Sequence, residues 1–159
     1  MKDYTLRKGA FGAIMDEYER AAADLEQLLK GMTEEQYTRA ANPGSPDPDC
    51  VSVQALMNHV VESGYAYANQ ARKVFGMPAD EMEFPLFGLS EAVPRLQAML
   101  KHTVATLEGR WEMTWEQQKE FRFETPSGNR ITIELLMEHG IVHVLRHRRQ
   151  IEKYLAGRI

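Results

Sequence analysis

The sequence predicts an all-α domain: a four-helix bundle with a short β-hairpin inserted before the last helix. Three observations carry that expectation. Four segments place apolar residues at three- and four-residue steps, breaker-rich stretches separate them, and one short run alternates apolar with charged residues instead. A chain of 159 residues fits the range of one compact unit, so 1–159 is read as a single domain with its own core.

The first helix is expected over 10–30, where Phe11, Ile14, Met15, Tyr18, Ala22, Leu25, Leu28 and Leu29 make one apolar stripe and Gly31 stands just beyond. Pro43, Pro46 and Pro48, set among Asn42, Gly44, Asp47 and Asp49, block both helix propagation and strand pairing, so 42–49 is a loop. Ser52 can cap a second helix that runs to Phe75 and is closed by Gly76 and Pro78. The irregular 76–88 stretch is long for a tight turn, which suggests that the chain crosses the bundle there. Ser90 is the expected cap of a third helix ending near Gly109, with Pro94 kinking or displacing its start. Phe121, Phe123 and Thr125, then Pro126-Ser127-Gly128-Asn129, then Arg130 to Ile133 read as the hairpin. The fourth helix should start at Thr132 or Ile133 and run to about Ala156.

Composition narrows the function. Cys50 is the single cysteine, so no internal disulfide can form, and a reducing, cytoplasmic setting is expected. Neither a signal-peptide pattern at Met1-Lys2-Asp3-Tyr4-Thr5 nor an apolar run of membrane-spanning length is present, so no membrane partner is expected. A net charge of -4 argues against nucleic acid as a partner, because phosphate-backbone binding draws on excess Lys and Arg. The cluster Arg146, Arg148 and Arg149 reads as a solvated helix face. There is no phosphate-cradling glycine loop and no Ser/His/Asp arrangement, so no nucleotide cofactor and no serine chemistry are inferred.

The histidines carry the chemistry. At about 100° per residue His139, His143 and His147 share one stripe of the last helix, flanked by Leu135, Val142, Val144 and Ile151, which places them on its inward face. Buried imidazoles need hydrogen bonds, water or a metal. Side chains at i and i+4 stand about 6 Å apart along the axis, so either His139/His143 or His143/His147 could grip one ion, whereas His139 and His147, about 12 Å apart, could not. A third ligand has to come from another helix. His59 in the second helix offers it, with Ala55, Ser63 and Ala66 leaving room nearby. Three imidazoles leave an open coordination position, as a catalytic metal requires. Glu62, one turn after His59, could orient a ligand or accept a proton. Tyr65, Tyr67 and Trp111 could line a cavity, although ordinary packing suffices for each. His102 has no partner at four-residue spacing and is expected on the surface.

The run from Leu135 to Ile151, with His143-x3-His147 followed by Arg148-Arg149-Gln150-Ile151, resembles the last-helix signature of the DinB/YfiT-like metalloprotein superfamily. The segment Ala55-Leu56-Met57-Asn58-His59-Val60-Val61-Glu62-Ser63 is similar to that superfamily's first ligand segment. The resemblance implies His59, His143 and His147 as ligands of a divalent ion, nickel or zinc, with His139 a neighbour lining or buttressing the site. One departure is visible: Arg149 stands where the pattern usually has Gly. The resemblance further implies a four-helix bundle, frequently a homodimer, and a small-molecule substrate. Relatives include bacillithiol S-transferases and mycothiol-dependent maleylpyruvate isomerases, beside members described only as metal-dependent hydrolases.

The leading expectation is a transferase in which a low-molecular-weight thiol is activated at the ion, so that no catalytic cysteine is needed and Cys50 is incidental. A metal-dependent hydrolase and a non-catalytic metal-binding or dimerisation module are the alternatives.

Overall fold

The computed structural model describes residues 6–125 and 127–158. Met1 to Thr5, read above for a leader, and Pro126 of the hairpin turn lie outside the described residues. Six helices and one two-stranded hairpin follow in order: α1 (Gly9–Lys30), α2 (Glu34–Thr38), a 3-10 turn (Pro48–Cys50), α3 (Val53–Val74), α4 (Leu89–Leu107), α5 (Trp115–Glu120), β1 (Phe123–Glu124), β2 (Arg130–Ile131) and α6 (Ile133–Leu155). The four long helices are the four expected from periodicity, and each packs on two others. α1 touches α6 and α4, and α3 touches α4 and α6, which closes the bundle around one core.

Local chemistry fixes the helix ends. Ser52 caps α3 by accepting from the Ala55 N–H, and Thr132 caps α6 by accepting from the Leu135 N–H. Gly76, with φ +70°, lets the chain turn away after α3. α4 begins two residues earlier than expected: Gly88 is its N-cap, not Ser90. The carboxylate of Glu34 reaches over from α2 to accept from the Leu89 N–H, a tertiary cap that removes the need for a serine. Pro94 sits inside α4, and the carbonyl it orphans belongs to exposed Ser90, which water can satisfy.

Two short helices, α2 and α5, were not expected. Each starts with a reciprocal capping box, Thr33 with Gln36 and Thr114 with Gln117. Phe121 therefore terminates α5 and does not begin a strand. The hairpin is correspondingly small, pairing Phe123 with Ile131 and Glu124 with Arg130.

The 77–88 connection runs the length of the bundle by retracing α3. Arg72 donates to the Pro78 carbonyl, Asn69 to that of Asp80, Asn58 to that of Phe84 and Gln54 to that of Phe87, so the chain travels from the end of α3 back to its start. α4 consequently runs parallel to α3, an arrangement visible where Gly64 meets Met99 and Asn69 meets His102. α6 lies antiparallel to α3: His59 faces His147 while Tyr67 faces His139. This crossing sets the register that brings the histidines together.

Candidate metal centre

α3 carries His59, and α6 carries His143 and His147 to the same point. The Nε2 atoms of His59 and His147 each stand 3.0 Å from Nε2 of His143, and one nitrogen from each ring lies within 4.8 Å of the others. For metal–nitrogen bonds of about 2.1 Å meeting at ordinary angles, ligand nitrogens stand roughly 3.0–3.4 Å apart, so the two spacings about His143 fit a shared ion.

The opposite ring nitrogens decide where the protons are. Asp49, on the 3-10 turn, places a carboxylate oxygen 3.0 Å from Nδ1 of His59. That contact holds the proton on Nδ1 and leaves Nε2 a bare lone pair. On α6, Gln150 reaches His147: its Oε1 stands 3.2 Å from Nδ1. The orientation of that amide is itself fixed, because Nε2 of Gln150 donates to the Tyr154 hydroxyl over 2.9 Å while the hydroxyl donates to the Cys50 carbonyl. Gln150 can therefore present only its oxygen to His147, which again puts the proton on Nδ1 and a lone pair on Nε2. Two lone pairs thus converge on His143, and a single proton on His143 Nε2 is the sole donor to share between them. A cation satisfies all three nitrogens at once, and the acceptors behind the rings are the kind that orient histidine ligands.

Electrostatics agree. Burial, followed by the neighbouring His147 and His59, pushes His143 down to about 3, and burial also lowers His147. Both rings are neutral near pH 7, the state that ligation requires. His143 and His147 are buried, and His59 is half-buried, which leaves one side approachable.

The remaining sequence candidates fall differently. His139 is exposed and stacks on His143 with ring centroids 6.3 Å apart, while the Tyr67 ring stands edge-on to both. The inward stripe is therefore narrower than expected. Leu135 and Val142 are each 49% exposed, because the bundle covers α6 only on the side of Gly140, Val144 and Ile151. Together with Tyr67, Phe123, Ile131 and His139 they line an open, mainly apolar cavity of about 770 Å³ between α3, the hairpin and α6. Ala66 lines it too, so the small residue does leave room, but on the outer side of the site.

Glu62 is exposed on α3 and makes no side-chain hydrogen bond or ion pair among the described residues. Tyr65 is buried against Phe84 and His102, and Trp111 packs under the Arg7 guanidinium. Cys50 is half-buried, and burial pushes its thiol up, away from the thiolate form.

His102 is not the surface residue that its spacing suggested. Its side chain is 9% exposed, held between the Asp80 carboxylate at 3.2 Å and the Asn69 amide oxygen at 3.0 Å. The returning 77–88 segment covers it, and sequence spacing along α4 contained no trace of that cover. Arg149 is exposed, so replacing glycine there costs no helix packing. Sequence reasoning missed Asp49 and Gln150. Gln150 could have been found as the residue one turn after His147, whereas Asp49 depends on how a proline-rich loop folds.

A family model described as the DinB superfamily matches residues 17–151, a span that contains all three converging histidines. Neither the curated proteins nor the solved structures include a match. With most of its length inside that match, the chain belongs to the DinB superfamily.

Proposed function

We propose that the protein is a metal-dependent transferase in which His59, His143 and His147 hold a divalent ion, nickel or zinc, and that it adds a low-molecular-weight thiol to an electrophile. The observation that carries the reading is the acceptor behind each of two rings, the Asp49 carboxylate at Nδ1 of His59 and the Gln150 amide oxygen at Nδ1 of His147, which leaves their Nε2 lone pairs aimed at one point. When bound, the ion would supply positive charge that lowers the pKa of a thiol placed in its open position. The chain's own residues do the rest. Asp49 and Gln150 hold the rings of His59 and His147 in position, burial keeps His143 and His147 neutral, and the apolar cavity beside Tyr67 offers space for the electrophile.

A thiol reading is favoured over a hydrolytic one because hydrolysis calls for a positioned general base. Glu62 is exposed, and Asp49 is already engaged with His59. In keeping with the family, the working form is taken to be a cytoplasmic homodimer.

The test is nickel and zinc titration of the chelated protein and of its His59→Ala, His143→Ala and His147→Ala variants, followed by addition of a small thiol to the nickel form. One equivalent bound by the wild type only, with a sulfur-to-nickel charge-transfer band on adding thiol, is expected. A folded protein without metal affinity would end the reading. Metal binding without thiol entry would end its transferase half, and turnover of esters or amides would replace that half with hydrolysis.

A further inference from the structure

Next to the histidine cluster, toward the C-terminal end of α6, lies a second cavity of about 360 Å³ whose lining joins Asn42 of the proline-rich loop to Arg146, Arg149, Gln150, Lys153 and Arg158. At about 100° per residue Arg146, Arg149 and Lys153 fall within one 60° sector of the helix, so their charges share a face. None of the three forms an ion pair among the described residues. The local acids Asp24 and Glu152 are instead taken by Arg148, on the other side of the helix.

A C-terminal helix dipole can account for Lys153, in the last turn, but not for Arg146 and Arg149, because the dipole's influence fades within one turn and α6 continues to Leu155. Like charges three and four residues apart repel, so an uncompensated cationic face of this kind, on a chain of net charge -4, calls for an anion to complete it. The cavity is of small-molecule size.

It is also coupled in space to the cluster. Gln150 lines the cavity and stands 3.2 Å from Nδ1 of His147. Along the helix axis Arg149 and Lys153 lie roughly 3 and 9 Å beyond His147, so one small molecule could span both places.

We propose that the cavity over Arg146, Arg149 and Lys153 is an anion subsite, which seats a carboxylate or phosphate of the small molecule whose reactive group reaches the histidine cluster. The guanidinium pair suits the two oxygens of either group, and Lys153 adds a point charge. The reach of the reactive group to the histidine cluster rests on the metal reading above, whereas the anion subsite itself does not.

The experiment titrates succinate and, separately, inorganic phosphate into the full chain at constant ionic strength, metal-free and nickel-loaded, following backbone amide shifts. It compares the wild type with Arg149→Gln/Lys153→Gln and with a charge-matched control, Arg39→Gln/Lys101→Gln. Saturable binding with shifts confined to the second half of α6 and the facing Asn42, weakened about tenfold or more in the cavity variant and unchanged in the control, is expected. The stronger of the two arms identifies the anionic group. Nickel affinity should be the same in all three proteins. No saturation, equal binding by the cavity variant, or tighter binding of a short DNA duplex than of either small anion would overturn the subsite. Anion binding by a protein that takes up no nickel would leave the subsite standing and remove the metal reading alone.

Discussion

At the scale of single residues, the histidine cluster is oriented by side chains that lie outside it. Gln150 decides which nitrogen of His147 is protonated, and Tyr154 decides which end of Gln150 faces that ring. Replacing Gln150 by Leu frees the ring to rotate or change tautomer, so nickel and zinc affinity should fall about 10- to 100-fold, as read by calorimetric titration. Tyr154→Phe should act in the same direction and less strongly, since the amide loses only the contact that orients it. The convergence of His59, His143 and His147 was expected from the sequence: four-residue spacing offered two pairs on α6, and the family resemblance, which needs no tertiary knowledge, chose between them and added His59. The orienting acid was not. Asp49 reaches His59 from a loop whose path is fixed by the Ala40–Ser52 bridge and the Tyr154 contact to Cys50, both of them non-local.

Between elements, close approach decides stability. Gly64 lets α3 lie against Met99 of α4: a Cβ there would stand 2.4 Å from Sδ and 2.7 Å from Cγ of a side chain that is itself fully buried. Gly64→Ala should therefore destabilise the fold by about 1–3 kcal/mol, measured by denaturant unfolding, even though alanine is the better helix former. Ser52→Ala removes the α3 cap and should cost about 1 kcal/mol in the same assay. The long helices were readable because twenty or so residues repeat the same apolar stripe and end at cap or glycine signals. α2 and α5, five and six residues long, are too short to show a period, and their capping boxes were the only local signal. The start of α4 was displaced for a different reason: its cap comes from Glu34, far away in sequence.

For the molecule as a whole, protons would compete with any bound ion for the same rings. Burial lowers His102, His143 and His147 below the ordinary histidine value of 6.5. The unfolded chain therefore binds protons before the folded one does. Stability of the metal-free protein is full above pH 6.5 and is lost as the pH falls below it, toward the depressed folded values. Thermal melts in chelator from pH 8 to 5 should show a falling midpoint, and a flat profile would contradict the neutral, buried rings. At neutral pH, ion at 100 times its dissociation constant should add about 2.7 kcal/mol, which for a chain of this size raises the midpoint by roughly 5–11 °C. No helix among the described residues is long and apolar enough to cross a membrane.

The contact between Asp49 and His59 has a consequence some distance from the chemistry. It ties the 42–49 loop to the ring that an ion would immobilise, while Tyr154 grips the same turn through Cys50. Cation uptake should therefore be felt as a stiffening of that surface segment. Slower deuterium incorporation at the backbone amides of Asp49 and Cys50, and greater resistance of the segment to nicking by added protease, would let occupancy be followed without any substrate at all.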